Sequence, residues 1–81
     1  MEVTVLFFAS VAQKAGVRSV TVPLEAGDNV ARVRDRVVDR FPQLESSLPT
    51  LLYALDEEYA HESDPVAPGS TLALIPPVSG G

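Results

Sequence analysis

The amino-acid sequence predicts an α+β fold, a mixed β-sheet with one main helix packed across one face. Three observations predict it. Residues 3–9 and 71–75 are short runs rich in β-branched, aromatic and aliphatic side chains near opposite ends of the chain, with the length and composition of strands. Between them, Val30, Val33, Val37, Val38 and Phe41 recur at helical spacing. Gly, Pro, Asp and Ser punctuate the segments between these elements, as turns require.

Taken in order, Val3-Thr4-Val5-Leu6-Phe7-Phe8-Ala9 reads as the first strand. Side chains alternate along a strand, so with Val3, Val5 and Phe7 facing the core, Thr4, Leu6 and Phe8 face the other side. Ser10 offers an N-cap to a short helical turn through Ala15, which Gly16 closes. Ser19-Val20-Thr21-Val22, stopped by Pro23, forms a second strand antiparallel to the first. Asp28 is a capping residue for the main helix, and Pro42 ends that helix. Its polar face carries Arg32, Arg34, Asp35, Arg36, Asp39 and Arg40. The Arg32/Arg36/Arg40 row reads as a solvated face with the pairs Arg32–Asp35 and Arg36–Asp39. Residues 43–49 read as a connector with Ser46 and Ser47 as turn formers. Residues 51–55 form a third strand, Asp56-Glu57-Glu58 reverses the chain, and Tyr59-Ala60 starts a short return. Residues 64–70 make a double turn, and Thr71 to Ile75 is the last strand, with Leu72 and Leu74 inward and Ala73 and Ile75 outward.

With the helix laid over one face, the first and last strands lie side by side and parallel. This is the β-grasp (ubiquitin-like) arrangement. It places Phe8 and Ile75 on the outer face, joined by Tyr59, as an exposed apolar patch of the kind that marks protein docking. Residues 1–75 form the domain, and residues 76–81 form a protruding, extended tail.

Composition narrows the function. The chain has 81 residues, enough for one domain, and at 46% hydrophobic and 21% charged it can bury a core. The net charge is −5, with five of the eleven acids between Asp56 and Asp64, which argues against nucleic-acid binding and suits a basic protein partner. No apolar run spans a bilayer and no signal peptide is recognisable, so a cytoplasmic location is expected. The absence of cysteine excludes disulfides, thiolate metal sites and cysteine catalysis. One histidine, His61, forms no metal cluster. There is no phosphate-cradling glycine loop and no nucleophile–histidine–acid pattern, so a self-sufficient enzyme is not expected.

The ending Pro76-Pro77-Val78-Ser79-Gly80-Gly81 carries the chemistry. Pro76 and Pro77 have fixed φ and no N–H, so they stop strand pairing and direct the tail outward. Two glycines make the thinnest backbone and reach φ values closed to other residues. Such a tail threads a narrow channel and presents its carboxylate for activation. With no cysteine in the chain, any sulfur it carries must ride on that carboxyl group.

The opening Val5-Leu6-Phe7-Phe8-Ala9, the turn Gly69-Ser70-Thr71-Leu72 and the Pro-Pro-Val-Ser-Gly-Gly ending together closely resemble the small subunits of molybdopterin synthases, the MoaD-type sulfur carriers of the MoaD/ThiS family. The resemblance covers essentially the whole chain. It implies that an ATP-using, ubiquitin-activating-like adenylyltransferase (MoeB-type) activates the Gly81 carboxylate, which becomes a thiocarboxylate. The tail, Pro76, Pro77, Val78, Ser79, Gly80 and Gly81, then enters the large synthase subunit (MoaE-type), and its sulfur passes to cyclic pyranopterin monophosphate (precursor Z) in molybdenum cofactor biosynthesis. The catalytic lysines belong to the large subunit, so this chain is implied to be a non-catalytic sulfur donor within a heterotetramer, with no bound cofactor or metal. The family's contact surface maps onto Phe8, Tyr59 and Ile75. Relatives often carry Asn where this chain has Asp56, and Asp where it has Ser70; both are turn positions.

Three other functions compete. A sulfur carrier for thiazole or tRNA thiolation shares the Gly-Gly end, but the Pro-Pro-Val ending argues against it. A ubiquitin-like modifier would form lysine conjugates through Gly81. A plain interaction domain would leave the tail inert.

Overall fold

A computed structural model describes residues 1–77. The element order is β1 (Glu2–Phe7), α1 (Ala9–Ala15), β2 (Ser19–Pro23), α2 (Val30–Arg40), a run of 3₁₀ turns (Pro42–Thr50), β3 (Leu52–Leu55), β4 (Glu58–Ala60) and β5 (Thr71–Ile75). The five strands form one mixed sheet in the order β2-β1-β5-β3-β4. β1 and β5 pair in parallel, with Val5 opposite Leu72, and the other neighbours are antiparallel. This is the expected β-grasp fold. Of the tail expected over residues 76–81, residues 78–81 lie outside the described residues. No helix among the described residues is long and apolar enough to cross a membrane.

The alternation along β1 and β5 is as the sequence predicts. Val3, Val5, Phe7, Leu72 and Leu74 are buried and pack with Val30, Val33 and Val37 of α2. The Phe7 and Phe41 rings meet edge to face at 5.7 Å.

Several local expectations are corrected. Ser10 lies inside α1; the N-cap is Phe8, with no side-chain cap, and the Phe8 carbonyl accepts from the Val11 N–H at 3.0 Å. The α2 cap is Asn29 rather than Asp28, its side chain accepting from the Arg32 N–H at 2.9 Å. Asp28 is buried instead. Its carboxylate accepts from the Glu25 N–H at 2.8 Å and from Arg36 at 2.7 and 3.2 Å. The Arg36 guanidinium, then the Glu25 N–H, hold the Asp28 carboxyl below its ordinary pKa against the opposing effect of burial.

The arginine row is not a solvated face with partners three residues on. Arg36 donates to the Pro23 carbonyl at 2.9 Å and Arg40 to the Thr21 carbonyl at 3.1 Å. Arg18 and Leu24 bond toward β1, so the odd-numbered residues of β2 between them turn their backbone groups to the free edge. The two arginines thus cover an edge that would otherwise offer itself for strand pairing. Arg34 donates to the Tyr53 hydroxyl at 3.2 Å and pairs with Glu62 at 2.9 Å, tying α2 to β3 and to the loop after β4. The tyrosine hydroxyl is the main cause of the raised Arg34 pKa.

The connector over residues 43–49 is ordered as 3₁₀ turns that bury Leu44 completely, with Lys14 donating to the Ser46 and Ser47 hydroxyls.

Candidate functional site

α2 covers one face of the sheet; among the described residues no helix covers the opposite face. Strand register builds its centre. Leu6 is opposite Ala73, Ala73 opposite Ala54, and Ala54 opposite Tyr59, so these four side chains form one row across β1, β5, β3 and β4. The two central alanines are short and their neighbours are long. The result is an open groove of about 700 Å³, lined by Leu6, Phe8, Ala54, Tyr59, Ala73 and Ile75 and bounded at the β3–β4 turn by Asp56, Glu57 and Thr71.

The structure therefore brings together the three residues expected to contact a partner. Phe8 is 45% exposed, Tyr59 is 80% exposed and Ile75 is half-buried. Leu6 and Leu52 were missing from that expected set. Leu52 is exposed and pairs with Ile75, continuing the apolar strip. With Tyr53 turned inward, alternation along β3 carries the signal that places Leu52 outward.

The groove's acidic end is fixed by backbone geometry. Asp56 and Glu57 both have positive φ, 49° and 72°, as a two-residue hairpin turn between right-twisted strands demands. Asp56 ties this turn to β5: its N–H donates to the Thr71 carbonyl and its Oδ1 accepts from the Thr71 N–H, each at 2.9 Å. Asn would supply the same side-chain acceptor, so the Asp56 departure preserves the geometry.

At the far end, β5 stops at Ile75. Pro76 and Pro77 border a cleft of about 310 Å³ with Phe8, Ala9 and Ile75. Val78, Ser79, Gly80 and Gly81 lie outside the described residues. Among the described residues, no group of three or more His, Cys, Asp or Glu side chains is placed to hold a metal ion. What the described face offers is an apolar surface, an acidic end and a fixed point of departure for the chain's last residues.

The family model for ThiS matches residues 5–81, from within β1 through the final glycine. The chain belongs to the ThiS family. This ThiS-family chain is 37% identical over 81 residues to the molybdopterin synthase sulfur carrier subunit of Arabidopsis thaliana, covering 100% of this chain and 84% of that protein. Its structure superposes on SAMP1 from Haloferax volcanii with a TM-score of 0.92 and 31% identity over all of both chains. A chain in the complex of subunits 1 and 2 of the molybdopterin-converting factor from Helicobacter pylori 26695 matches with a TM-score of 0.71 over all of both chains; at 22% identity that likeness is one of fold.

Proposed function

We propose that this chain is the sulfur-carrier subunit of a molybdopterin synthase. The observation that carries the reading is its full-length likeness to the named plant sulfur carrier, within a family match that runs to Gly81. In the proposed cycle a Gly81 carboxylate oxygen attacks the α-phosphorus of ATP on a MoeB-type adenylyltransferase, and pyrophosphate leaves. Hydrosulfide displaces AMP from the acyl adenylate, loses its proton and leaves a thiocarboxylate. In a MoaE-type large subunit that sulfur attacks a carbon of cyclic pyranopterin monophosphate, and the C–O bond at that carbon breaks as its oxygen leaves. Water then cleaves the acyl–sulfur bond and restores the carboxylate. A dithiolene holds two sulfurs, so each product requires two deliveries.

The groove's part is recognition. Phe8, Tyr59 and Ile75 grip the large subunit while Pro76 and Pro77 aim the tail, and Gly80 and Gly81 pass where a side chain would jam. The large subunit supplies the catalytic groups, and the assembly is a heterotetramer in the cytoplasm. The chain itself holds no cofactor. The test is reconstitution: thiocarboxylated protein, large subunit and cyclic pyranopterin monophosphate yield molybdopterin, and deletion of Gly81 abolishes the yield. No product from the charged wild-type protein contradicts the proposal.

The likeness to SAMP1, a small archaeal modifier protein, favours a second reading as a protein modifier. Conjugates that survive denaturing gels in extract and vanish on Gly81 deletion distinguish it.

A further inference from the structure

Phe8 holds an unusual position in the backbone. Its N–H donates to the Leu74 carbonyl at 3.3 Å, so it closes the β1–β5 pairing one residue before Ile75. Its carbonyl accepts from the Val11 and Ala12 N–H groups at 3.0 and 3.4 Å, so it also starts α1. One residue ends a strand and caps a helix. The chain must therefore turn sharply at the next residue, and Ala9 has φ +48°. A residue other than Gly, Asn or Asp adopts this left-handed region only at an energetic cost, and such strain persists where the surroundings over-determine it. Here the two sets of hydrogen bonds on Phe8 do so.

The Phe8 ring lines three adjoining depressions: the sheet-face groove, a second groove along α1 that includes Ala12 and Val17, and the cleft beside Pro76 and Pro77. We infer that Ala9 is a positioning residue, whose left-handed backbone holds the Phe8 ring against the root of the C-terminal segment so that a partner engages ring and departing chain as one rigid unit. This rests on the carrier reading above, because the partner invoked is the enzyme that activates the C-terminus. Ala9 itself touches no reacting atom.

The test uses the full chain, the activating enzyme, ATP and a sulfur source. In Ala9→Val a β-branched side chain cannot hold the left-handed turn. The KM for this protein in the charging reaction is expected to rise roughly tenfold while kcat stays within about twofold, the pattern of lost uniform binding. Ala9→Gly, which accepts positive φ freely, is expected to keep wild-type constants. Nuclear Overhauser contacts between the Phe8 ring and the Pro76 and Pro77 protons are expected in the wild-type protein, and this measurement stands even where Ala9→Val does not fold. Charging of a folded Ala9→Val protein with unchanged KM, or the absence of those contacts in the wild type, overturns the inference. Failure of the wild-type protein to be charged at all overturns the carrier reading instead, and the ring contacts still decide the role of Ala9.

Discussion

Glu57 sits in a hairpin turn with φ 72°, where most turns of this kind carry glycine. A left-handed backbone costs an L-residue roughly 1 kcal/mol, and glycine gives part of that back through its freer unfolded chain. Glu57→Gly is therefore expected to stabilise the domain by about 0.5 kcal/mol, and Glu57→Val to destabilise it. Urea unfolding checks this: the Gly midpoint should rise, and an unchanged or lower midpoint contradicts the strain argument. Sequence reading recognised a reversal at Asp56-Glu57-Glu58 from its polar residues. The left-handed backbone at Glu57 was not legible there, because glutamate does not announce a positive φ as the glycine of Asn-Gly or Asp-Gly does. Nor was Ala9 legible: it read as the end of the first strand, but β1 stops at Phe7 and Ala9 opens α1, a turn that alanine does not announce.

At the scale of elements, β1, β2, α2 and β5 were readable because their apolar positions keep the period of the structure they form. The contacts that fasten them were not, because they join residues distant in sequence. The sequence reading placed the cap on Asp28, because an aspartate there suits a helix start and nothing local marks it as the buried partner of Arg36. Residues 43–49 looked like a connector through Pro49 and the two serines, yet Leu44 gives them a buried anchor. The Asp28–Arg36 pair joins the loop before α2 to the helix itself. Its carboxyl is depressed in the folded state below its ordinary value of 3.8, so the unfolded chain takes up the proton first as pH falls. The stabilisation is thus fully present above the ordinary carboxylate range and is lost as pH drops through 3.8 toward the lower folded value. Asp28→Asn is expected to lower Tm at neutral pH and to flatten the fall of Tm below about pH 4. Thermal melts across pH measure both, and an unchanged acid slope contradicts the pairing.

Across the described residues as a whole, one sheet face is sealed by α2 and the other presents an apolar groove with an acidic end. The outward positions of Phe8 and Ile75 followed from alternation, and the fold adds that two central alanines make the face concave rather than merely exposed. A docking face should separate binding from stability. Phe8→Asp removes a half-exposed ring, so it is expected to cost less than about 1.5 kcal/mol of stability, half or less of what full burial of such a ring is worth. Its affinity for the large subunit should fall by about 100-fold or more, as for an anchor residue at the centre of an interface. Calorimetric titration and thermal melts together check this; unfolding of Phe8→Asp, or unaltered binding, contradicts the assignment of that face. The chemistry assigned to Gly81 is tested most directly by the intact mass of the protein isolated from its own cells and after incubation with ATP, a sulfur source and extract. A species heavier by the substitution of sulfur for oxygen, lost on deletion of Gly81, is the expected result. The unmodified mass alone under both conditions would contradict a sulfur carrier and leave a modifier or a binding module.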